Sequence, residues 1–122
     1  MEIKKVMHAP AKEIKKNASI QEAMQEMYLQ RVTSLIVEDQ GIITRKDIIH
    51  KIIAKNQNPK EINVEEVMSS PLLTIPAHTP VEECARIMQK TGLRHLPVTE
   101  KDKITGIVTN SEILKANGKT RA

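Results

Sequence analysis

The chain has 122 residues, the size of one ordinary domain, and its 39% hydrophobic and 28% charged residues are those of a globular protein. No apolar run approaches the roughly 20 residues of a membrane helix, and the opening MEIKKVMHAP has lysines with no apolar stretch behind them, so neither a membrane span nor a secretory signal is expected and the expected compartment is cytoplasmic. The formal charge of +4 comes from scattered lysines rather than a basic block, and Tyr28 is the only aromatic residue, which leaves no stacking platform for single-stranded nucleic acid.

In chain order, Val6-Met7 comes first and recurs as Val67-Met68, 61 positions on. Ile20, Ala23, Met24 and Met27 recur at the same offset as Val81, Cys84, Ala85 and Met88, apolar at i, i+3, i+4 and i+7, which predicts one helix in each copy. Ser19-x-x-Glu22 and Thr79-x-x-Glu82 read as capping boxes, and Pro80 as a first-turn residue. Each helix is followed by an apolar strand, Leu35-Ile36-Val37 or Leu96-Pro97-Val98, then a turn and a second strand, Gly41-Ile42-Ile43 or Gly106-Ile107-Val108. The second strands lie 65 apart instead of 61, so the first hairpin loop is expected to be shorter by four residues. A second helix carries Ile48, Ile49, Ile52 and Ile53 in one copy and Ile113 and Leu114 in the other, the latter ending near Asn117-Gly118.

The expected organisation is one module, with a first repeat at 1–55, a linker at 56–63 (NQNPKEIN), a second repeat at 64–118 and a tail at 119–122. Each repeat has about 60 residues, a size at which burial barely offsets chain entropy, so the two are expected to need each other. The fold class is α+β: two β-α-β-β-α units packed sheet to sheet with pseudo-twofold symmetry, leaving clefts between them. Cys84, at helical spacing among apolar residues, reads as a small core residue, as do Met24, Met27 and Met88. His8, His50 and His78 have no ligand-like spacing with one another or with Cys84, so no metal site is expected. No nucleophile and base set can be assembled, and an enzyme is not expected.

The chemistry concentrates at the two strand-to-helix junctions, GIITRKDII (41–49) and GIVTNSEIL (106–114). A strand ending at a helix start exposes unpaired N–H groups that favour an anion, and Thr44 and Thr109 sit there. A carboxylate three residues on, Asp47 or Glu112, can accept from two vicinal ribose hydroxyls. The same Thr-x-x-acid spacing also makes a helix cap. Both readings stay open, with capping suiting Glu112 better and ribose contact suiting Asp47.

Over nearly its whole length the chain resembles a tandem pair of cystathionine-β-synthase (CBS) domains, a Bateman module. The second copy carries the closer match, TGLRHLPVTEKDKITGIVTNSEIL, with Gly92, Leu93, Leu96 and Pro97 on its strand; the first has Arg31 and Ile36 in place of that glycine and proline. The resemblance implies a regulatory module binding AMP, ADP, ATP, S-adenosylmethionine or NAD(H) in the inter-repeat clefts, with no cofactor required. It assigns Asp47 and Glu112 to ribose, and Thr44 and Thr109 to phosphate. Arg94 and His95 join the phosphate set, although strand alternation turns them opposite ways. The base pocket falls to Ile14 with Val32, Thr33 and Ser34, and to Ile75 with Leu93. A homodimer paired through helices is expected, together with a separate regulated protein. The alternatives are a ligand-free dimerisation or scaffold protein and, third, a nucleic-acid-binding protein.

Overall fold

In a computed structural model that describes residues 1–116, apolar residues at helical spacing form α1 at Ile20–Gln30 and α3 at Val81–Thr91. The inward faces are those expected: Ile20, Ala23 and Met27 on one helix, and Val81, Cys84 and Met88 on the other, are all buried. Sheet strands flank each helix in the same order, β1 (Glu13–Ile14), β2 (Ser34–Val37) and β3 (Gly41–Thr44) around α1, and β4 (Ile75–Pro76), β5 (His95–Glu100) and β6 (Lys103–Thr109) around α3. In each three-stranded sheet the outer strand pairs parallel to the centre and the hairpin closes antiparallel. Short helices follow the hairpins. α2 (Arg45–Ile48) continues as a π-helical turn over Ile49–Ile53, and α4 is Asn110–Ala116. The expected helix end near Asn117-Gly118, the last residues of the second repeat and the 119–122 tail lie outside the described residues.

The chain divides into two compact units, Lys12–Leu72 and Met1–Ala11 with Leu73–Ala122. Each unit therefore combines one repeat's sheet and helices with the opening segment of the other repeat. In the first of these units, the 3₁₀ turn Val64–Glu66 docks at the start of α1, where the Ile20 N–H donates to the Ile62 carbonyl and the Val64 N–H to that of Ala18, at 2.8 Å each. In the second, the turn Ile3–Lys5 docks at the start of α3, with the Ile3 N–H donating to Thr79 at 2.9 Å and the Val81 N–H to Met1 at 2.8 Å. Ile3 and Val64 are fully buried in the two cores. The segment 56–63 is held as well as spanning, because the Gln21 N–H donates to Pro59.

The exchange explains both duplicated dipeptides and the strand glycines. His8 bridges to Ile107 through two backbone hydrogen bonds of 2.8 Å, and Ser69 bridges to Ile42 through bonds of 2.9 and 3.0 Å. A Cβ on Gly106 would lie 2.7 Å from both the His8 carbonyl oxygen and the Met7 sulfur. One on Gly41 would lie 2.7 Å from the Ser69 carbonyl oxygen and 2.6 Å from the Met68 sulfur. Glycine is required at both places by close approach of a second backbone.

Three expectations are corrected. α3 has Pro80 as its N-cap, with no side-chain cap: the Thr79 N–H that the Glu82 carboxylate was expected to take donates to the Pro76 carbonyl at 3.1 Å, and the Val81 N–H donates to the exchanged Met1 carbonyl. The four extra residues of the second hairpin lengthen its strands and add an irregularity at Val98/Thr99. Its loop is only Lys101-Asp102, against Glu38-Asp39-Gln40 in the first. Left-handed φ at both loop residues of the second and at the first two of the first gives the twist a tight hairpin needs. Gly92 belongs to the end of α3, as a left-handed C-cap with φ 77°, and not to the strand; Arg31 holds the same position after α1 with φ 57°.

Candidate functional site: two strand-to-helix junctions

The junction in the Lys12–Leu72 unit is built by register. β2 pairs with β3 so that Ser34 is the cross-strand partner of Thr44, and the Arg45 N–H donates to the Thr33 carbonyl at 2.9 Å, fixing where α2 leaves the sheet. Thr44 is the N-cap of α2 and closes a full capping box with Asp47. The Asp47 N–H donates to Thr44 Oγ1, and the Thr44 N–H donates to Asp47 Oδ2, both at 3.1 Å. The second carboxylate oxygen, Oδ1, lies 3.4 Å from Lys51 Nζ, one turn along, while the same ammonium donates to the Val67 carbonyl at 3.0 Å. Asp47 is thus half-buried and bonded to Thr44 and Lys51 inside its own unit.

The other junction repeats the register and changes the partners. His95 faces Thr109 across β5 and β6, and the Asn110 N–H donates to the Arg94 carbonyl at 2.9 Å. The Thr109 hydroxyl donates to Glu112 Oε1, and Glu112 Oε2 faces the His8 imidazole Nε2 at 3.2 Å. Burial pushes the Glu112 carboxyl up, but the Thr109 hydroxyl and the neighbouring His8 outweigh it and hold it below the usual glutamate range. A closed reciprocal capping box is found at Asp47.

The remaining candidates divide by position. Thr33, Val32 and Ser34 surround the first junction; Ser34 is buried, Val32 and Thr33 half-buried. Leu93 and Arg94 are exposed on the approach to β5, and His95 is half-buried at its first residue. Ile75 lies in the apolar core with Val98, and Ile14 packs against the core of its own unit, so both side chains are engaged in packing. Sequence reasoning did not anticipate Lys51 and His8, the two basic side chains that meet the junction acids. Lys51 was legible, since Asp47 and Lys51 stand at i and i+4. His8 reaches Glu112 only through the segment exchange.

A second feature lies beside the first junction, an open groove of about 680 Å³ between α1 and the α2 helix. Met24, Tyr28, Leu29, Ile49 and Ile53 line it, with Arg31 and Arg45 among them. Tyr28 is 83% exposed and Leu29 69%, although both are large and apolar in body. Among the described residues no cluster of histidine, cysteine and carboxylate side chains could hold a metal ion, and no helix is long and apolar enough to cross a membrane. Cys84 is a free, buried thiol, pushed by that burial to about 11.

The CBS domain profile matches the chain twice, at residues 3–54 and 64–119. The chain belongs to the CBS domain family. It is similar to an uncharacterized protein of the archaeon Methanopyrus kandleri, 36% identical over 76 residues, which cover 62% of this chain and 39% of that protein. The chain thus spans about two fifths of the length of the curated archaeal relatives it matches first. Among solved structures, an uncharacterized conserved protein from Pyrococcus horikoshii has a TM-score of 0.86 at 33% identity, covering 99% of this chain and 93% of its own. A hexameric CBS-CP12 protein from bloom-forming cyanobacteria has a TM-score of 0.89 at 27% identity, covering 100% and 76%. CBS pairs are, as a class, regulatory ligand-binding modules rather than catalytic ones, and they often form oligomers.

Proposed function

We propose that this CBS pair is a cytoplasmic, non-catalytic sensor that takes an adenosine compound, of the AMP, ADP, ATP, S-adenosylmethionine or NAD(H) class, at its strand-to-helix junctions and signals to a separate protein. The observation that carries this reading is the common construction of the junctions. In each, a threonine ends the hairpin, a half-buried carboxylate follows three residues on, and a polar side chain, Ser34 or His95, stands opposite the threonine. The carboxylates would accept from ribose hydroxyls and the threonines would donate to phosphate, with Arg94 and His95 as further phosphate contacts in one unit. Ile14, Val32, Thr33 and Ser34, and Ile75 with Leu93, would supply the base surroundings, Ile14 and Ile75 through their strand backbones.

Asp47 and Glu112 already hold internal partners, so ligand must share or displace them. Asp47 loses a lysine contact across 3.4 Å in doing so, a weak interaction at partial exposure. A thermal-shift panel of AMP, ADP, ATP, S-adenosylmethionine and NADH tests the reading. A ligand at about 100 times its Kd raises stability by about 2.7 kcal/mol, and the shift should shrink in Asp47→Ala relative to that variant's own unliganded melting point. No shift with any of the five at millimolar concentration would overturn the sensor.

The groove of Met24, Tyr28, Leu29, Ile49 and Ile53 supports a second reading, a dimerisation or scaffold role with or without ligand. A second copy of the chain, paired through these helices, is the occupant we propose. Light scattering at micromolar concentration should give twice the monomer mass, and a monomer would remove the homodimer from both readings.

A further inference from the structure

The two junction acids face different kinds of basic side chain. Asp47 Oδ1 faces the ammonium of Lys51 on its own helical segment, at 3.4 Å. Glu112 Oε2 faces the imidazole of His8, at 3.2 Å, on the opening segment that has crossed from the other repeat. The repeat-equivalent positions confirm that this is a substitution of one device for another: Ser69 stands 61 residues after His8, and Ala116 stands 65 after Lys51. An ammonium keeps its charge throughout the physiological range, whereas an imidazole changes charge between about pH 5 and 8.

The His8 backbone cannot drift from the site. Two hydrogen bonds of 2.8 Å tie it to Ile107, two residues before Thr109 on the strand that ends at the junction. Its side chain is 64% exposed, open to protons from solvent, and that of Glu112 is 20% exposed. Among the described residues, Glu112 is the charged group within ion-pair distance of His8. Lys4, on the same opening segment, is turned to Glu100 at 2.8 Å, and β6 presents Ile107 and Thr109, which carry no charge. The other Glu112 oxygen is taken by the Thr109 hydroxyl.

We infer that His8 is a proton-controlled latch on the Glu112 junction, its imidazolium occupying Oε2 at low pH and freeing that oxygen for a ribose hydroxyl when it loses its proton. The inference rests on the adenosine reading above and adds regulation to it: one junction of this chain responds to pH and the other, latched by Lys51, does not. Exposure of the imidazole keeps the effect small, since ion pairs of this kind change an equilibrium by about two- to fivefold.

The test is calorimetric titration of the whole chain with adenosine at pH 5.5, 6.5 and 8.0. Adenosine presents the ribose without a phosphate, so no phosphate titration enters. The wild-type Kd should fall about two- to fivefold as pH rises. His8→Ala should hold the tighter value at every pH, and His8→Lys, which restores a permanent cation like that of Lys51, should hold the weaker one. Retention of the wild-type pH dependence in His8→Ala, or a flat wild-type profile with adenosine bound, overturns the latch and leaves the sensor standing. Absence of adenosine binding at every pH in all three chains overturns the latch, whereas the sensor stands or falls on the five-ligand panel. A ligand-free readout checks the pair itself. The Glu112 carboxyl carbon resonance should show an inflection between pH 5 and 8 that His8→Ala lacks, and its absence from the wild type overturns the latch.

Discussion

Replacing Gly106 with alanine adds one methyl group in a sheet, where alanine would ordinarily stabilise by about 0.4–1 kcal/mol through the unfolded chain. Gly106 is not in the left-handed region, so nothing in its own backbone forbids the side chain. The obstacle is the exchanged opening segment, whose His8 carbonyl oxygen and Met7 sulfur would each be 2.7 Å from the new Cβ. A thioether can swing aside, but the carbonyl is held by the Ile107 N–H at 2.8 Å and must move with its strand. Parting the segment loses the two His8–Ile107 hydrogen bonds, about 0.5–1.5 kcal/mol each, and overpacking costs about 1–3 kcal/mol if it stays. Set against the gain through the unfolded chain, the net expectation is a loss of about 1–2 kcal/mol. At about 3–6 °C per kcal/mol for a chain of this length, the melting temperature falls by roughly 3–12 °C. Urea and thermal unfolding followed by circular dichroism measure it. Met7→Ala in the same chain removes the sulfur and not the carbonyl, so it should leave most of the loss in place. Gly41→Ala should behave alike, through Ser69 and Met68. A Gly106→Ala protein as stable as the wild type would refute the account of the exchanged segment.

Arg31→Gly should raise stability by about 1 kcal/mol in urea unfolding, because Arg31 ends α1 with φ 57° where glycine carries no Cβ penalty. Thr44→Ala should lower it by about 1 kcal/mol by opening the capping box with Asp47. Glu112 has its folded carboxyl held below the ordinary range, so its contribution is present above the unfolded glutamate range and is lost as pH falls through the lower folded value. Glu112→Gln should therefore flatten the acid limb of a stability profile recorded from pH 6 to 2. The Cys84 thiol, at about 11, should be about a thousandfold short of thiolate at pH 8 and react with a disulfide reagent only at the rate of unfolding. Tyr28→Ser with Ile53→Ser should shift the light-scattering mass from dimer to monomer while leaving the fold intact, since both side chains are exposed in the single chain.

Local pattern was enough for the elements with strong periodicity. Ile20, Ala23 and Met27 against Val81, Cys84 and Met88 marked both long helices, and the glycine-led strands marked both hairpins, because helix and strand periods are properties of adjacent residues. The exchange was not legible, although its traces were. Val6-Met7 and Val67-Met68 repeat, as do Gly41 and Gly106, and nothing local says that Met7 meets Gly106 instead of Gly41. That choice is made by tertiary packing, with Ile3 filling one core and Val64 the other. The start of α3 is set in the same way, since the Val81 N–H donates to the Met1 carbonyl 80 residues away in sequence.

The junctions show why capping and ligand contact cannot be separated by spacing alone. A Thr-x-x-acid motif at the end of a hairpin places its carboxylate one turn into a helix, within reach both of the N-cap N–H and of the space beyond the strand end. In the Asp47 junction the shorter side chain turns back far enough to accept from Thr44 N–H, and its other oxygen is left to Lys51. In the Glu112 junction the extra methylene carries the carboxylate outward to the Thr109 hydroxyl and to His8. Glu112 thus keeps one oxygen on the threonine at the start of its own helix and turns the other toward the exchanged segment. Under the proposed function the two sites would differ in what a ligand has to displace: an ammonium within one unit's helix, and an imidazole carried in from the other repeat.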